Sequence, residues 1–434
     1  MSTETKATRH LHLEMMTRIE GEGGISIELE NGALKNVTLD IFEPPRLFEA
    51  FLRGRSIDEL PDIVARICGI CPVAHQLTAA QAVEDALGIT LSPDIRALRQ
   101  LLYFGEWIQS HVLHIFFLQL PDLLGCPDAL VVARDHPLKV QEALRMKKIG
   151  NHIMETVGGR AIHPVNVCVG GFYRAPSASV VKALRDDVAW LLEASLQTVP
   201  FLASLPLPKL EREVEFVSLS RPDEYAILDG SLSVGSARNL KVKDFERSFV
   251  ERHVAHSNAL RTECVGEDKS FFVGPLARLN FNRAQLLPKA QSAMAASGIS
   301  WPSANPYAGV LARAIELVHS CEGALACIDS YQEPNPCRMP FKLKAGDGHG
   351  ASEAPRGTLY HNYRINDRGL IEFARIVPPT AQNLRRMEDD LRLLIPGVID
   401  RPDAEILAEC EKVMRCYDPC VSCSVHAIRI KRTP

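Results

Sequence analysis

The amino-acid sequence predicts an α+β fold that is mainly helical, with a central buried helix bundle and peripheral β-rich segments in one large body. Three observations support this prediction. Residues 1–45 alternate apolar and polar side chains, the run "IRALRQLLYFGEWIQSHVLHIFFLQL" is apolar nearly all round, and residues 210–280 read as short strands joined by turns. The 434-residue chain exceeds the usual size of one domain, but it has no internal repeat and no low-complexity linker. One body therefore fits better than separable domains.

Individual elements follow from local signals. The segments "ISIELE" and "LKNVTLDIF" alternate as strands do and meet at a turn on Asn31-Gly32. Ser92-Pro93 is typical of a helix start and opens the long apolar helix. A further helix over 138–159 is expected to end on its two terminal glycines, and another spans roughly 178–199. The stretch "GTLYHNYRINDRGLIEFARIV" predicts a hairpin, followed by two closing helices.

The composition excludes several classes of protein. The net charge is −4 and there is no block of basic residues, so nucleic acid is not expected as a partner. The amino terminus, "MSTETKATRHLHLE", lacks the apolar core of a signal peptide. The most apolar stretch, "VLHIFFLQLPDLL", is too short to span a bilayer and contains polar residues. These features predict a soluble, cytoplasmic chain with no membrane span.

Twelve cysteines are many for a cytosolic chain, in which cysteine clusters more often indicate metal or redox chemistry than disulfides. Four of them form two CxxC pairs near opposite ends, Cys68/Cys71 and Cys420/Cys423. The first pair precedes Pro72, a typical first residue of a helix. The positive end of a helix dipole there would favour loss of the thiol protons.

Spacing alone leaves several interpretations open. Four thiolates from the two ends of the chain can bind nickel, iron or zinc. A thioredoxin-like redox pair lacks the expected βαβ context, and zinc ribbons usually space their CxxC pairs far more closely. Two unconnected structural pairs also fit. A histidine follows each pair, His75 and His426, and could tune a ligand sulfur.

Taken together, "RICGICPVAH" (66–75) and "DPCVSCSVH" (418–426) resemble the paired signatures of the large, catalytic subunit of nickel–iron hydrogenases. The resemblance spans nearly the whole chain and implies the hydrogenase large-subunit fold. One departure is Glu22, where many relatives have histidine. Further matching segments, in order, are "MTRIEGEGG" (16–24), "RLFEAFLRGR" (46–55), "GGRAIHPV" (158–165), "GPLARLN" (274–280), "EAPRGTL" (353–359) and "VPPTAQN" (377–383).

The resemblance implies a nickel–iron centre. Cys68 and Cys420 would be terminal nickel ligands, and Cys71 and Cys423 would bridge nickel to an iron that carries cyanide and carbon monoxide. Glu20 matches the proton-relay carboxylate beside Cys420. Without the resemblance, Glu20 would be read as a solvated strand carboxylate.

Other residues would surround this centre. His75 would hydrogen-bond a bridging sulfur, and Thr380 would donate to a cyanide. Arg356, otherwise an ordinary ion-pairing arginine, would lie over the iron ligands and the open coordination position. Asp418 would anchor Arg356 or its surroundings. A magnesium ion would be held by three groups: the carboxylate of Glu49, the carbonyl of Ile376 and the imidazole of His426.

The implied reaction is reversible heterolytic cleavage of H2 into protons and electrons. The remaining cysteines lack iron–sulfur spacing, so the clusters would lie in an iron–sulfur small subunit. The "RICGIC" variant resembles soluble bidirectional groups, which add flavin- and NAD(P)-handling diaphorase subunits. Two alternatives remain open: the chain could be a hydrogen-sensing or deazaflavin-linked relative, or it could be a structural four-cysteine zinc or interaction protein. The homologous quinone-module subunit of respiratory complex I lacks the cysteine pairs.

The resemblance also implies that the last eight residues are removed from the mature protein. In the resembled family a maturation protease removes a C-terminal propeptide after the last histidine, once nickel-insertion chaperones have delivered the metal. Residues 1–426 would then be the catalytic domain and 427–434, "AIRIKRTP", the segment cut off after His426. Metal binding would be coupled to this last folding step.

Overall fold

The computed structural model describes residues 8–211, 213–236 and 238–426. They form one body in which helices outnumber strands, so the predicted mainly helical α+β fold is confirmed. The helices are α1 (Phe48–Phe51), α2 (Leu60–Ala65), α3 (Pro72–Leu87), α4 (Pro93–Leu113), α5 (Leu120–Leu124), α6 (Ala129–Asp135), α7 (Pro137–Gly158), α8 (Ala178–Lys182), α9 (Arg185–Ala203), α10 (Phe245–Ser248), α11 (Pro275–Asn282), α12 (Pro288–Ala295), α13 (Gly309–Asp329), α14 (Pro379–Leu394), α15 (Asp403–Cys416) and α16 (Val421–Ser424).

The strands form small, mostly antiparallel sheets around the helices. Their orders are β1-β2-β3, β4-β5, β11-β6-β7-β8, β10-β9 and β12-β13-β14, and the β6–β11 pair is parallel. The strands are β1 (Thr8–Leu13), β2 (Gly23–Glu30), β3 (Ala33–Ile41), β4 (Val167–Cys168), β5 (Gly171–Phe172), β6 (Glu215–Ser220), β7 (Ser231–Val234), β8 (Arg238–Leu240), β9 (Phe249–Val254), β10 (Ser257–Cys264), β11 (Phe271–Phe272), β12 (Gly346–Ala354), β13 (Gly357–Ile365) and β14 (Ile371–Val377).

The amino-terminal hairpin forms where the sequence predicts it. Strands β2 and β3 are antiparallel and meet at Asn31 and Gly32, whose φ angles are 55° and 77°. Two consecutive positive φ angles define the tight turn that matches the right-handed twist of a hairpin. The predicted hairpin later in the chain is likewise β13–β14.

Helix α4 is the buried centre of the molecule, as predicted. The Ser92 hydroxyl caps it by accepting a hydrogen bond from the Ile95 N–H at 3.3 Å. The helix packs against α7 and α13 and continues as a π-helix, His114–Gln119, into α5. Over the described residues, no single helix has the length and apolar character to cross a membrane; one pair, 93–124 with 129–135, meets that test together but is bent by 81°.

The structure differs from the sequence prediction in two places. The helix expected over 178–199 is divided into α8 and α9, and α9 extends to Ala203. Asp186 and Asp187 lie in the first turn of α9, where carboxylates stabilise a helix start, so the chain begins a new helix there. Strand β12 was not predicted, because its sequence "GDGHGASEA" carries glycines where apolar strand residues are expected.

The glycines of β12 allow helix α3 to lie directly against the sheet. A Cβ atom placed on Gly348 would lie 2.0 Å from the Ala82 carbonyl oxygen, and one on Gly350 would lie 2.4 Å from the Thr78 carbonyl oxygen. These are contacts with backbone, which cannot move aside as a side chain can. Helix α3 begins directly after Cys71, and β12 leads to Arg356, so this close packing sets the separation of the two predicted site segments.

Replacing Gly348 by alanine is expected to lower the free energy of unfolding by about 1–3 kcal/mol, because the added methyl forces α3 away from β12. Urea denaturation followed by circular dichroism would measure the effect. Gly397→Ala is the matched control, since nothing lies within 4 Å of a Cβ there. Equal urea midpoints for the two variants would contradict the close-packing argument.

Candidate metal centre

The four cysteines of the two CxxC pairs converge in the interior. Their sulfur atoms all lie within 4.8 Å of one another, and all four residues are buried and free of disulfides. The Sγ–Sγ distances are 3.5 Å for Cys68–Cys420, 4.0 Å for Cys71–Cys423 and 2.7 Å for Cys420–Cys423. The predicted convergence of thiols from both ends of the chain is therefore present.

The amino-terminal pair is shaped by the start of α3. Cys71 is the residue directly before Pro72, and the turn brings the N–H groups of Ile70 and Cys71 within 3.3 Å of the Cys68 sulfur. Backbone N–H groups stabilise a negatively charged sulfur. This local geometry therefore favours the Cys68 thiolate.

The carboxy-terminal pair is held in place by backbone hydrogen bonds to the amino-terminal region. Glu20 forms an isolated parallel bridge with Cys420, next to Asp418, whose φ of 52° turns the chain into the site. The Val421 N–H donates to the Glu20 carbonyl oxygen at 2.9 Å. Two further backbone hydrogen bonds fix the last described residues against the start of α1: Arg46 N donates to Val425 O at 2.7 Å, and Phe48 N donates to His426 O at 2.8 Å.

The electrostatics of the cluster call for a cation. Hydrogen bonds from Cys420, Cys423 and Cys71 hold the pKa of the Cys68 thiol well below its ordinary value. Burial raises the pKa of the Cys420 thiol well above it. Four adjacent buried thiols cannot all ionise unless positive charge compensates them, and thiolates bind nickel, iron or zinc readily. The donor set thus fits a soft metal centre.

Arg356 supplies a fixed positive charge beside these sulfurs. Its Nε donates to the Asp418 carbonyl oxygen at 2.8 Å and its Nη2 to Asp418 Oδ1 at 3.1 Å, so the predicted anchoring is observed. Its Nη1 is buried and has no hydrogen-bond partner among the described residues. A buried guanidinium nitrogen rarely lacks a partner, so this one fits a site that receives a further group.

Glu20 is half-buried and reaches the same cluster from the other side. Its Oε2 accepts a hydrogen bond from the Ser422 N–H at 3.2 Å, and its backbone pairs with that of Cys420. Burial raises the pKa of Glu20, and the Cys68 thiolate adds to the shift. A carboxyl group with a raised pKa beside a thiol is suited to exchange a proton with it.

Thr380 and His75 contact the cysteines from two further directions. The Thr380 hydroxyl oxygen accepts the Cys420 N–H at 2.9 Å, which leaves its own hydrogen available to another acceptor. His75 Nε2 lies 3.9 Å from the Cys423 sulfur, and burial lowers the pKa of His75 to about 4. A neutral imidazole at this position can donate one N–H to that sulfur.

Glu49, Ile376 and His426 form a second polar cluster next to the cysteines. The Glu49 carboxylate accepts the Ile376 N–H at 2.8 Å on the outer edge of β14, and His426 Nε2 lies 3.5 Å from it. His426 Nδ1 contacts the carbonyl oxygen of Cys423 at 2.8 Å, which joins the two clusters. Glu251, from β9, lies 4.0 Å from His426 Nε2 and was not predicted. Carboxylates, a carbonyl and an imidazole are ligands suited to a divalent cation.

Two more buried residues near the cysteines were not predicted from the sequence. Glu106 on α4 accepts the N–H groups of Val73 and Ala74 at 2.6 and 3.0 Å, so it binds the first turn of α3 directly after Cys71. His361 on β13 lies 3.3 Å from His75. An acidic residue inside an otherwise apolar helix was a usable signal for Glu106. For His361 the available signal was its position five residues after Arg356 on the predicted hairpin.

Comparisons with known proteins agree with this geometry. The sequence profile of a family described as nickel-dependent hydrogenase matches residues 46–135 and 268–426. The chain is 33% identical to sulfhydrogenase 1 subunit alpha of Pyrococcus furiosus, over 96% of this chain and 98% of that protein. It is 28% identical to the NAD-reducing hydrogenase HoxS subunit beta of Cupriavidus necator, over 97% and 95% of the two chains.

Solved structures of hydrogenases share the fold of this chain. A crystal structure of an NAD+-reducing [NiFe]-hydrogenase in the H2-reduced state superposes with a TM-score of 0.84 at 26% identity, covering 97% of this chain and 100% of that one. A [NiFeSe]-hydrogenase from Dm. baculatum shares the fold, with a TM-score of 0.78 at 22% identity and coverage of 97% and 100%. The chain belongs to the nickel-dependent hydrogenase family, in which it is a catalytic large subunit of an oxidoreductase that acts on H2, and this membership implies nickel and iron as its metals.

Proposed function

We propose that Cys68, Cys71, Cys420 and Cys423 bind a nickel–iron centre, with Cys71 and Cys423 shared by both metals, and that the site cleaves H2 reversibly and heterolytically. The observation that carries this proposal is the convergence of four buried sulfurs within 4.8 Å beside an unpaired nitrogen of Arg356. When bound, the metals supply Lewis acidity and the capacity to accept electrons.

The chain's own residues handle the proton. The Cys420 sulfur holds it first, because Glu20 lies beside Cys420 in the backbone bridge. Glu20 takes the proton from the sulfur and releases it outward, since its side chain is half-buried rather than enclosed. The Ser422 N–H keeps the carboxylate oriented throughout.

Arg356 and Thr380 orient the groups carried by iron. We assign cyanide and carbon monoxide to these groups, as the family resemblance implies. Arg356 Nη1 and the Thr380 hydroxyl hydrogen are the two donors left free by the contacts around them, and both suit an acceptor such as cyanide. Asp418 fixes the guanidinium through two hydrogen bonds and so keeps its free edge in place.

A magnesium ion would be held next to the cysteines by Glu49, the Ile376 carbonyl and His426. In an extended strand the N–H and C=O of one residue point to the same side, so the Ile376 carbonyl shares the edge that faces Glu49. The ion would link the carboxy-terminal histidine to α1 and β14 and so keep the end of the chain next to the cysteines.

Electrons leave through partner chains in this proposal. An iron–sulfur small subunit receives them, and flavin- and NAD(P)-handling diaphorase subunits pass them on in the cytoplasm. The support is that two of the similar proteins described above are NAD-reducing hydrogenases. Other relatives are F420-non-reducing hydrogenases or sulfhydrogenases, so a different acceptor is the second candidate.

Residues 1–426 are proposed as the catalytic unit, and 427–434 as a propeptide removed by a maturation protease after nickel-insertion chaperones have acted. The eight residues lie outside the described part of the chain. The hydrogen bond from Phe48 N to His426 O supports a docked end at His426. The mass of the chain purified from its native complex would test the cut: the proposal requires a terminus at His426.

Metal content and H2-dependent dye reduction test the proposal together. The purified complex is expected to contain nickel, to contain more iron than nickel because the small subunit adds its iron–sulfur clusters, and to reduce the dye. Cys420→Ala is expected to abolish both nickel retention and dye reduction, because it removes a ligand and the proton-holding sulfur. Cys410→Ala, the same change at a buried cysteine outside the cluster, is expected to retain both. Zinc alone, or a Cys420→Ala variant with full activity, would contradict the proposal.

A further inference from the structure

A line of three buried side chains leads to the Cys423 sulfur. The Tyr363 hydroxyl lies 2.7 Å from His361 Nδ1, and His361 Nε2 lies 3.3 Å from His75 Nδ1. His75 Nε2 in turn lies 3.9 Å from Cys423 Sγ. His361 and Tyr363 are two residues apart on β13 and therefore face the same side of the strand.

The hydrogen positions along this line follow from the hydroxyl. Burial raises the pKa of Tyr363 well above its ordinary value, so the phenol keeps its hydrogen. Among the described residues the only hydrogen-bond partner of that hydroxyl is His361 Nδ1. The hydroxyl therefore donates, and Nδ1 accepts.

The same direction of hydrogen-bond donation continues through the two imidazoles. Because His361 Nδ1 accepts the phenol hydrogen, that ring carries its one hydrogen on Nε2 and donates it to His75 Nδ1. Since His75 Nδ1 accepts in turn, His75 carries its hydrogen on Nε2, which faces the sulfur. The opposite polarity would leave the buried Tyr363 hydroxyl hydrogen with no acceptor.

We propose that Tyr363 and His361 are positioning residues that lock His75 in the tautomer whose Nε2–H donates to the Cys423 sulfur. A thiolate that accepts a hydrogen bond is a weaker electron donor to its metal, so the two residues would tune the centre without touching it. The tautomer itself depends only on this chain. Its effect on the metals rests on the function proposed above.

Histidine tautomers can be measured by long-range 1H–15N correlation spectra of the full-length chain in metal-free form, labelled with 15N-histidine. His75→Gln and His361→Gln identify the two sets of signals. We expect both rings to be protonated on Nε2 only. In Tyr363→Phe, which removes the hydroxyl and keeps the ring, both are expected to become mixtures of tautomers. Tyr331→Phe is the matched control, because that hydroxyl donates to the Pro176 carbonyl, away from this line.

A wild-type His75 protonated on Nδ1 would overturn the inference, and so would a Tyr363→Phe spectrum unchanged from wild type. The first result needs only the His75→Gln assignment, so it stands even where Tyr363→Phe fails to fold. In the metal-loaded complex, Tyr363→Phe is expected to retain nickel, to shift the infrared bands of the iron-bound groups and to lower H2 oxidation about 10-fold. A complex without such bands would refute the proposed function and leave the tautomer result intact; a variant with unshifted bands would overturn the tuning role.

Discussion

Replacing Glu20 by glutamine is expected to lower the rate of H2 oxidation by about 10²–10⁴-fold while the nickel content stays unchanged. Glutamine has the size of glutamate and keeps an oxygen that can accept the Ser422 N–H, so the segment beside Cys420 stays in place. The amide cannot take a proton from the Cys420 sulfur, and the path outward is interrupted. Dye reduction under H2 and nickel analysis of the same sample measure the two quantities.

Glu22→Gln is the matched control for this change. Glu22 lies two residues further along the same segment, its side chain is exposed, and the substitution removes the same charge. It is expected to leave the rate at the wild-type value. A Glu20→Gln enzyme with the wild-type rate, or one that has lost its nickel, would show that Glu20 does not carry the proton.

Replacing Arg356 by lysine is expected to lower the rate of H2 oxidation by about 10²–10³-fold. Lysine keeps the positive charge, but it has a single nitrogen in place of the planar fork. That fork binds the carbonyl oxygen and Oδ1 of Asp418 and leaves Nη1 facing the site. The loss therefore reports on the orientation of the donor and not on charge. Nickel and iron contents measured beside the rate would confirm that the centre is still assembled.

Arg338→Lys provides a control with nearly the same local contacts. Arg338 also donates through Nε to a backbone carbonyl, that of Val169 at 3.0 Å, and through Nη2 to an aspartate, Asp58 at 2.8 Å. It lies outside the cluster of cysteines. Equal losses of rate in the two lysine variants would mean that Arg356 acts only as a structural ion pair.

The sequence was informative wherever a local pattern is enough to define a structure. Ser92 before Pro93 identified the start of the central helix, and Asn31-Gly32 identified the first hairpin. The two CxxC pairs singled out the four cysteines that the structure brings together. The convergence of the two pairs then followed from the family resemblance.

Features that depend on packing between distant segments were not predictable in the same way. Strand β12 is built from glycines that make sense only against α3, and nothing within the strand indicates that partner. Glu106 binds the turn after Cys71 from a helix that begins more than twenty residues later in the sequence. Glu251 and His361 reach the site from strands whose neighbours are set by the tertiary fold.

The central claim is that sulfurs from Cys68, Cys71, Cys420 and Cys423 surround one nickel atom next to an iron atom. X-ray absorption at the nickel edge of the purified complex tests it most directly, because the spectrum reports the elements bound to that metal. We expect four sulfur neighbours and one nearby iron, with fewer sulfurs in Cys68→Ser. A nickel atom surrounded by nitrogen and oxygen alone, or no iron beside it, would contradict this claim.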